Sequence, residues 1–145
     1  MKRIAVVFAS LFALGIASNP VAGEKEKCSN AILQGSFGYS AAGTLLDSYV
    51  PPPYAGPFGE ACRQSFDGKG NTAATATLSA NGNIQPITIQ GTYTVNADCT
   101  GSMTLYVLQF QSYVHADFVI DEDGAEVRAI GTDSGVIETR VYKKQ

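Results

Sequence analysis

Few side chains here carry groups able to do chemistry. The chain holds one histidine, His115, and three cysteines, Cys28, Cys62 and Cys99. Tyr113, His115 and Asp117 stand two apart, and residues at i and i+2 of a strand share a face. If that face lines a cavity, the His115–Asp117 pair suits acid–base work. Arg128, Glu138 and Arg140 are the further titratable residues that later strands would bring to the same interior. The plainer arrangement sends Val114, Ala116, Phe118 and Ile120 to the core and leaves His115 and Asp117 in water. A Cys62–His115 nucleophile would need a third group to orient the base, and none is recognisable. No Gly-x-Ser-x-Gly, phosphate loop or paired metal histidines occur. Asp121-Glu122-Asp123-Gly124 lacks the ligand spacing of a calcium loop. The sequence therefore assigns no catalytic residue, no cofactor and no metal.

The ends of the chain speak about compartment. Met1-Lys2-Arg3, the apolar run from Ile4 to Ile16 and the small residues at Val21-Ala22-Gly23 make a secretory signal peptide over residues 1–23. The apolar run is short for a bilayer span, and no second long one follows. The mature chain, residues 24–145, is expected to be a single domain exported to the periplasm or beyond, with no membrane span. Removing residues 1–23 takes away Lys2 and Arg3, which leaves eight basic and thirteen acidic residues, a net charge of −5. Scattered charge of that sign argues against a nucleic-acid partner, which calls for a basic stripe.

An oxidising compartment favours one disulfide and leaves one thiol over. Three pairings are open on sequence grounds. Cys28–Cys99 is favoured because Cys28 precedes the first strand and Cys99 sits in a turn, where chain ends need tying. Cys62 then becomes a buried free thiol.

The elements are read from period-2 patterning. Strands are expected at residues 31–43, 60–67, 72–80, 84–95, 102–111, 113–121, 126–132 and 136–142. Asp67-Gly68-Lys69-Gly70-Asn71 and Asn81-Gly82 are hairpin signals. Asn96, Asp98 and Gly101 are read as turn residues around Cys99. Residues 102–111 look apolar on both faces, as though both were covered. Residues 44–59 form a long loop with three consecutive prolines, Pro51–Pro53, and an apolar side. Eight short strands joined by tight turns predict an all-β fold: one antiparallel up-and-down barrel, with a β-sandwich as the alternative.

Phe66-Asp67-Gly68-Lys69-Gly70-Asn71, then Gly91-Thr92-Tyr93-Thr94-Val95-Asn96-Ala97-Asp98-Cys99-Thr100-Gly101, then Asp117-Phe118-Val119-Ile120 resemble small exported bacterial proteins of uncharacterised function. Those are similar in layout to allene-oxide-cyclase-like and lipocalin-like barrels. The barrel and its surplus aromatics point first to a non-enzymatic protein that binds a small apolar ligand or a partner protein. Tyr49, Tyr54, Phe58, Tyr93, Tyr113 and His115 are the expected ligand-binding residues. A cyclase-like enzyme on an apolar substrate is one alternative. The other is a self-assembling structural protein that forms a homo-oligomer through the Tyr49–Phe58 arm.

Overall fold

The computed structural model describes residues 28–145, so the expected signal peptide at 1–23 lies outside the described residues. Eight strands follow one another: β1 (Gly35–Leu45), β2 (Gly56–Phe66), β3 (Asn71–Ala80), β4 (Asn83–Val95), β5 (Thr100–Val107), β6 (Ser112–Asp121), β7 (Glu126–Gly131) and β8 (Val136–Lys144). Each pairs antiparallel with its neighbours, and β1 pairs with β8 to close an up-and-down barrel. Closure removes both sheet edges. The apolar parity of most strands points inward: Ala74, Ala76, Leu78, Ile87, Ile89, Met103, Leu105, Ala116, Phe118 and Val127 are buried, with polar neighbours outside. This is the reverse of a lipid-facing barrel, whose apolar band is on the outside.

One end is shut. A 3₁₀ turn at Asn30–Leu33 lies across it and buries Leu33 completely. Phe37, Phe66, Tyr93 and Tyr142 pack beneath, edge to face, with Phe66 ring centroids 5.3 Å from Phe37 and 5.1 Å from Tyr93. Asn30 holds the turn to β4: its Oδ1 accepts the Val95 N–H at 2.8 Å, and its carbonyl accepts the Tyr93 hydroxyl at 3.1 Å. Cys28 bonds to Cys99 beside it, which ties the incoming chain to the β4–β5 turn.

Several expected boundaries move. The first strand was expected from residue 31, but Ala31–Leu33 belong to the 3₁₀ turn and the strand starts at Gly35. The long loop narrows from 44–59 to 46–55, because Leu45 and Gly56 are already paired. The fifth strand ends at Val107, and residues 108–111 turn the chain, with Gln111 in the left-handed region at φ 50°. Its two faces are not both covered: Met103, Leu105 and Val107 are buried, whereas Thr104 and Tyr106 are only half-buried. Cys99 itself takes the positive φ of its turn, 67°. Gly101 is a strand residue instead, where a Cβ would come within 2.3 Å of the Phe118 ring. Pro86 lies on the part of β4 that overhangs β5, whose pairing begins at Ile89–Val107, so its missing N–H breaks no bond there.

The Cys28–Cys99 bridge joins residues 71 apart. A link closing so long a loop removes much of the freedom of the unfolded chain. Cys28→Ser/Cys99→Ser is expected to lower the unfolding free energy by about 2–5 kcal/mol in urea denaturation. Peptide mapping of the unreduced protein should find Cys62 as a free thiol.

Candidate functional site

The opposite end of the barrel stays open and leads into a cavity of about 400 Å³. That lies within the usual range of small-molecule pockets, about 300–1,000 Å³. Its walls are apolar, from Leu78 of β3, Ile87 and Ile89 of β4 and Leu105 and Val107 of β5. These positions share the inward parity of their strands, and Ala80 beside them leaves room for a cavity rather than filling it.

The floor is polar. Glu60, Glu138 and Arg140 line the cavity, and all three are buried. Strand register brings them together: Ala41 of β1 stands opposite Glu60 on one side and Arg140 on the other. Gly43, one inward step along, stands opposite Glu138, and a Cβ there would meet the Ile137 carbonyl oxygen at 1.8 Å. Small residues on β1 are what allow charged side chains to converge from both flanks. Arg140 donates to Glu138 through Nε at 2.7 Å and Nη2 at 3.0 Å, a two-pronged pair. The Tyr39 hydroxyl donates to Glu60, and the Arg140 guanidinium sits 5.7 Å from the Tyr39 ring centroid. Arg140 Nη1 is buried with no hydrogen-bond partner among the described residues.

Burial sets the electrostatics of this floor. It pushes the Glu60 carboxyl upward, against the pull of Arg140 and the Tyr39 hydrogen bond. It pushes the Tyr39 hydroxyl far up as well, with the Glu60 charge adding to it. Burial opposes the Arg140 charge, but Tyr142 and Glu138 outweigh it and keep the guanidinium protonated. Cys62 shares the inward parity of Glu60, and burial, then Glu60, pushes its thiol up to about 12. A thiol held neutral in that way is a poor nucleophile.

The proline segment crosses the mouth and contributes Tyr49, Val50, Pro51 and Tyr54 to the cavity. It is tethered at several points. The Tyr49 hydroxyl donates to the Tyr113 carbonyl at 3.2 Å, and Asn81 and Asn83 both donate to the Pro53 carbonyl, at 3.2 and 3.1 Å. The Tyr54 ring packs on Phe110 with centroids 5.8 Å apart.

Of the six residues expected at a ligand, Tyr49, Tyr54, Phe58 and Tyr113 line the cavity, the last with its ring tilted against Tyr106 at 4.9 Å between centroids. Tyr93 is buried at the shut end, where it holds Asn30. His115 is on the outer face: its Nδ1 lies 2.7 Å from Asp133 Oδ1, and its own N–H donates to Asp133 Oδ2 at 2.6 Å. Its partner is Asp133 of the β7–β8 turn rather than Asp117, and the pair pins that turn outside the barrel. Sequence reasoning left Glu60 and Tyr39 out of the site. The available signal was parity, since Glu60 alternates in step with Phe58 and Phe66, both core residues.

No family model matches the chain, and no curated protein matches it. Among solved structures it is similar to a redesigned β-barrel, mFAP1, bound to DFHBI in that structure. The likeness covers 79% of this chain and 97% of that one at a TM-score of 0.55 and 14% identity. It establishes the barrel architecture and nothing finer.

Two outcomes follow from the floor. Arg140→Met alone strands the Glu138 carboxylate in a dry wall and is expected to cost about 3–5 kcal/mol, whereas Arg140→Met/Glu138→Met should recover most of the loss; thermal and urea unfolding measure both. Glu60 has a folded pKa above its usual 4.5, so the folded state holds the proton more tightly than the unfolded chain. Its contribution to stability is therefore present below about 4.5 and lost as pH rises through the folded value. The melting temperature of Glu60→Gln relative to the parent should rise with pH across that window and then level off.

Proposed function

We propose that this chain is an exported, non-enzymatic barrel that holds a small apolar molecule in its open half. The apolar cavity of about 400 Å³ carries this reading. Burial of hydrocarbon against Leu78, Ile87, Ile89 and Leu105 supplies the drive, at about 25 cal/mol per Å² removed from water. The tethered proline segment shields the mouth. The redesigned barrel with DFHBI bound is a precedent for a ligand inside this architecture. The Cys28–Cys99 bridge supports export, since such bonds persist in oxidising compartments.

The buried floor favours one second reading, a cyclase- or isomerase-like enzyme, because Glu60 is a protonatable group beneath an apolar chamber. Recovery of the bound molecule decides between them: a carrier returns it unchanged, and an enzyme does not.

The test of binding is the neutral dye N-phenyl-1-naphthylamine, which brightens on leaving water. The full mature chain is expected to enhance its emission with saturable binding. Ile87→Trp, which fills the chamber, should abolish the enhancement while circular dichroism stays that of the parent. Equal enhancement by both proteins would overturn the reading.

A further inference from the structure

We propose that the occupant of the cavity is a primary amine with an apolar tail, seated head down so that its ammonium group donates to the free oxygen of Glu60. The inference rests on the binding reading above and specifies the head of the molecule. Glu60 lines the cavity one inward step below Phe58 on β2, and it is 9% exposed. Its Oε1 is taken by the Tyr39 hydroxyl. Its Oε2 has no hydrogen-bond partner among the described residues. The unpartnered side-chain atoms that are sealed off from any visitor are Gln64 Oε1 and Arg140 Nη1, and Glu60 Oε2 is not one of them. An acceptor left free beside an apolar chamber is met by a ligand that brings a donor, which a hydrocarbon does not.

Charge decides which donor. Three ionisable side chains of the floor line the cavity: two carboxyls, Glu60 and Glu138, and one cation, Arg140. Arg140 spends Nε and Nη2 on Glu138, so Glu60 is the carboxyl with no cation bonded to it. Burial pushes the Glu60 carboxyl upward even with Arg140 nearby, as befits a carboxylate short of compensation. An ammonium head supplies the missing charge and leaves two groups of each sign in the floor. A carboxylate head would add a third anion. A hydroxyl would donate one hydrogen and leave the charge as it was. The protons balance by either route: an ammonium meets the ionised carboxylate, or a neutral amine takes the proton of the carboxylic acid, and the complex is the same. The tail would lie along Ile87, Ile89 and Leu105 toward Tyr54 and the mouth.

The experiment is displacement of N-phenyl-1-naphthylamine from the full mature chain near neutral pH by a matched series: octylamine, octanol, octanoate and octane. The amine should displace the dye at concentrations about tenfold or more below those of the other three, as expected for a charge-assisted hydrogen bond in a dry site. In Glu60→Gln, which keeps the shape and removes the charge, the amine should lose its lead over octanol. Each protein is read against its own response to octane, so a general loosening of the chamber does not enter the comparison. Nuclear Overhauser contacts of octylamine labelled at its α-carbon give a second readout that needs no variant. The α-methylene should lie against the methyl groups of Leu78, which pairs with Glu60 across β2 and β3, and away from the rings of Tyr54 and Phe110 at the mouth. A flat ranking, a preference for octanol or octanoate, an α-methylene at the mouth or an amine preference that survives in Glu60→Gln would each overturn the inference while leaving apolar binding intact. Failure of the dye to enter the parent protein would bring down the binding reading and this inference together.

Discussion

Pairing of β1 with both β2 and β8 is the constraint on which the rest of the molecule depends. It closes the barrel, and it sets Glu60 and Arg140, eighty positions apart in the chain, on either side of Ala41. Each keeps a nearer partner as well, Arg140 in Glu138 of its own strand and Glu60 in Tyr39 of the adjacent one, and closure brings the two pairs into one layer. Closure makes the interior dry, and dryness is what forces charges to pair and hydrogens to be placed. The Glu138–Arg140 pair is then a charge pair whose burial is a cost to folding that its two hydrogen bonds offset.

The two halves of the barrel are built on different terms. At the shut end Phe37, Phe66, Tyr93 and Tyr142 fill the lumen, and Leu33 plugs it. At the open end Ala80, Leu78 and the isoleucines of β4 line a lumen they do not fill. The same backbone therefore gives a solid core and a chamber, according to how much aromatic volume the inward positions carry. Eight strands sit at the size where side chains can either fill the inside or leave room for one small molecule. The polar floor lies between the halves, where a buried network is walled by aromatic rings below and aliphatic groups above.

The mouth is governed by the proline segment. Three consecutive prolines offer no backbone donors, and in place of the extended path expected of them they make a turn, closed by the Tyr54 N–H on the Pro51 carbonyl at 3.2 Å, so the segment covers the opening without joining the sheet. Its hold comes from side chains on neighbouring turns, Asn81, Asn83 and Phe110, and from Tyr49 on the Tyr113 carbonyl. The apolar side of the segment faces the chamber of its own chain.

Local chemistry was enough to read the strand number, the antiparallel order and the Asn81-Gly82 hairpin, because period-2 patterning and turn residues act over a few positions. Cysteine placement favoured the bridge between Cys28 and Cys99, since a leader and a turn meet at one barrel end. The floor was not legible in the same way. On β8 the apolar parity, Ile137 and Val141, points to solvent and the polar parity, Glu138 and Arg140, points in, against the usual alternation. Only register across the β1–β8 seam reveals that Glu60, Tyr39 and Arg140 share a layer. Likewise nothing local shows that Tyr93 serves Asn30 or that His115 serves Asp133. Alternation tells which residues share a face; which face is inside, and what it meets there, was decided by closure of the barrel, a long-range contact that no short stretch of sequence encodes.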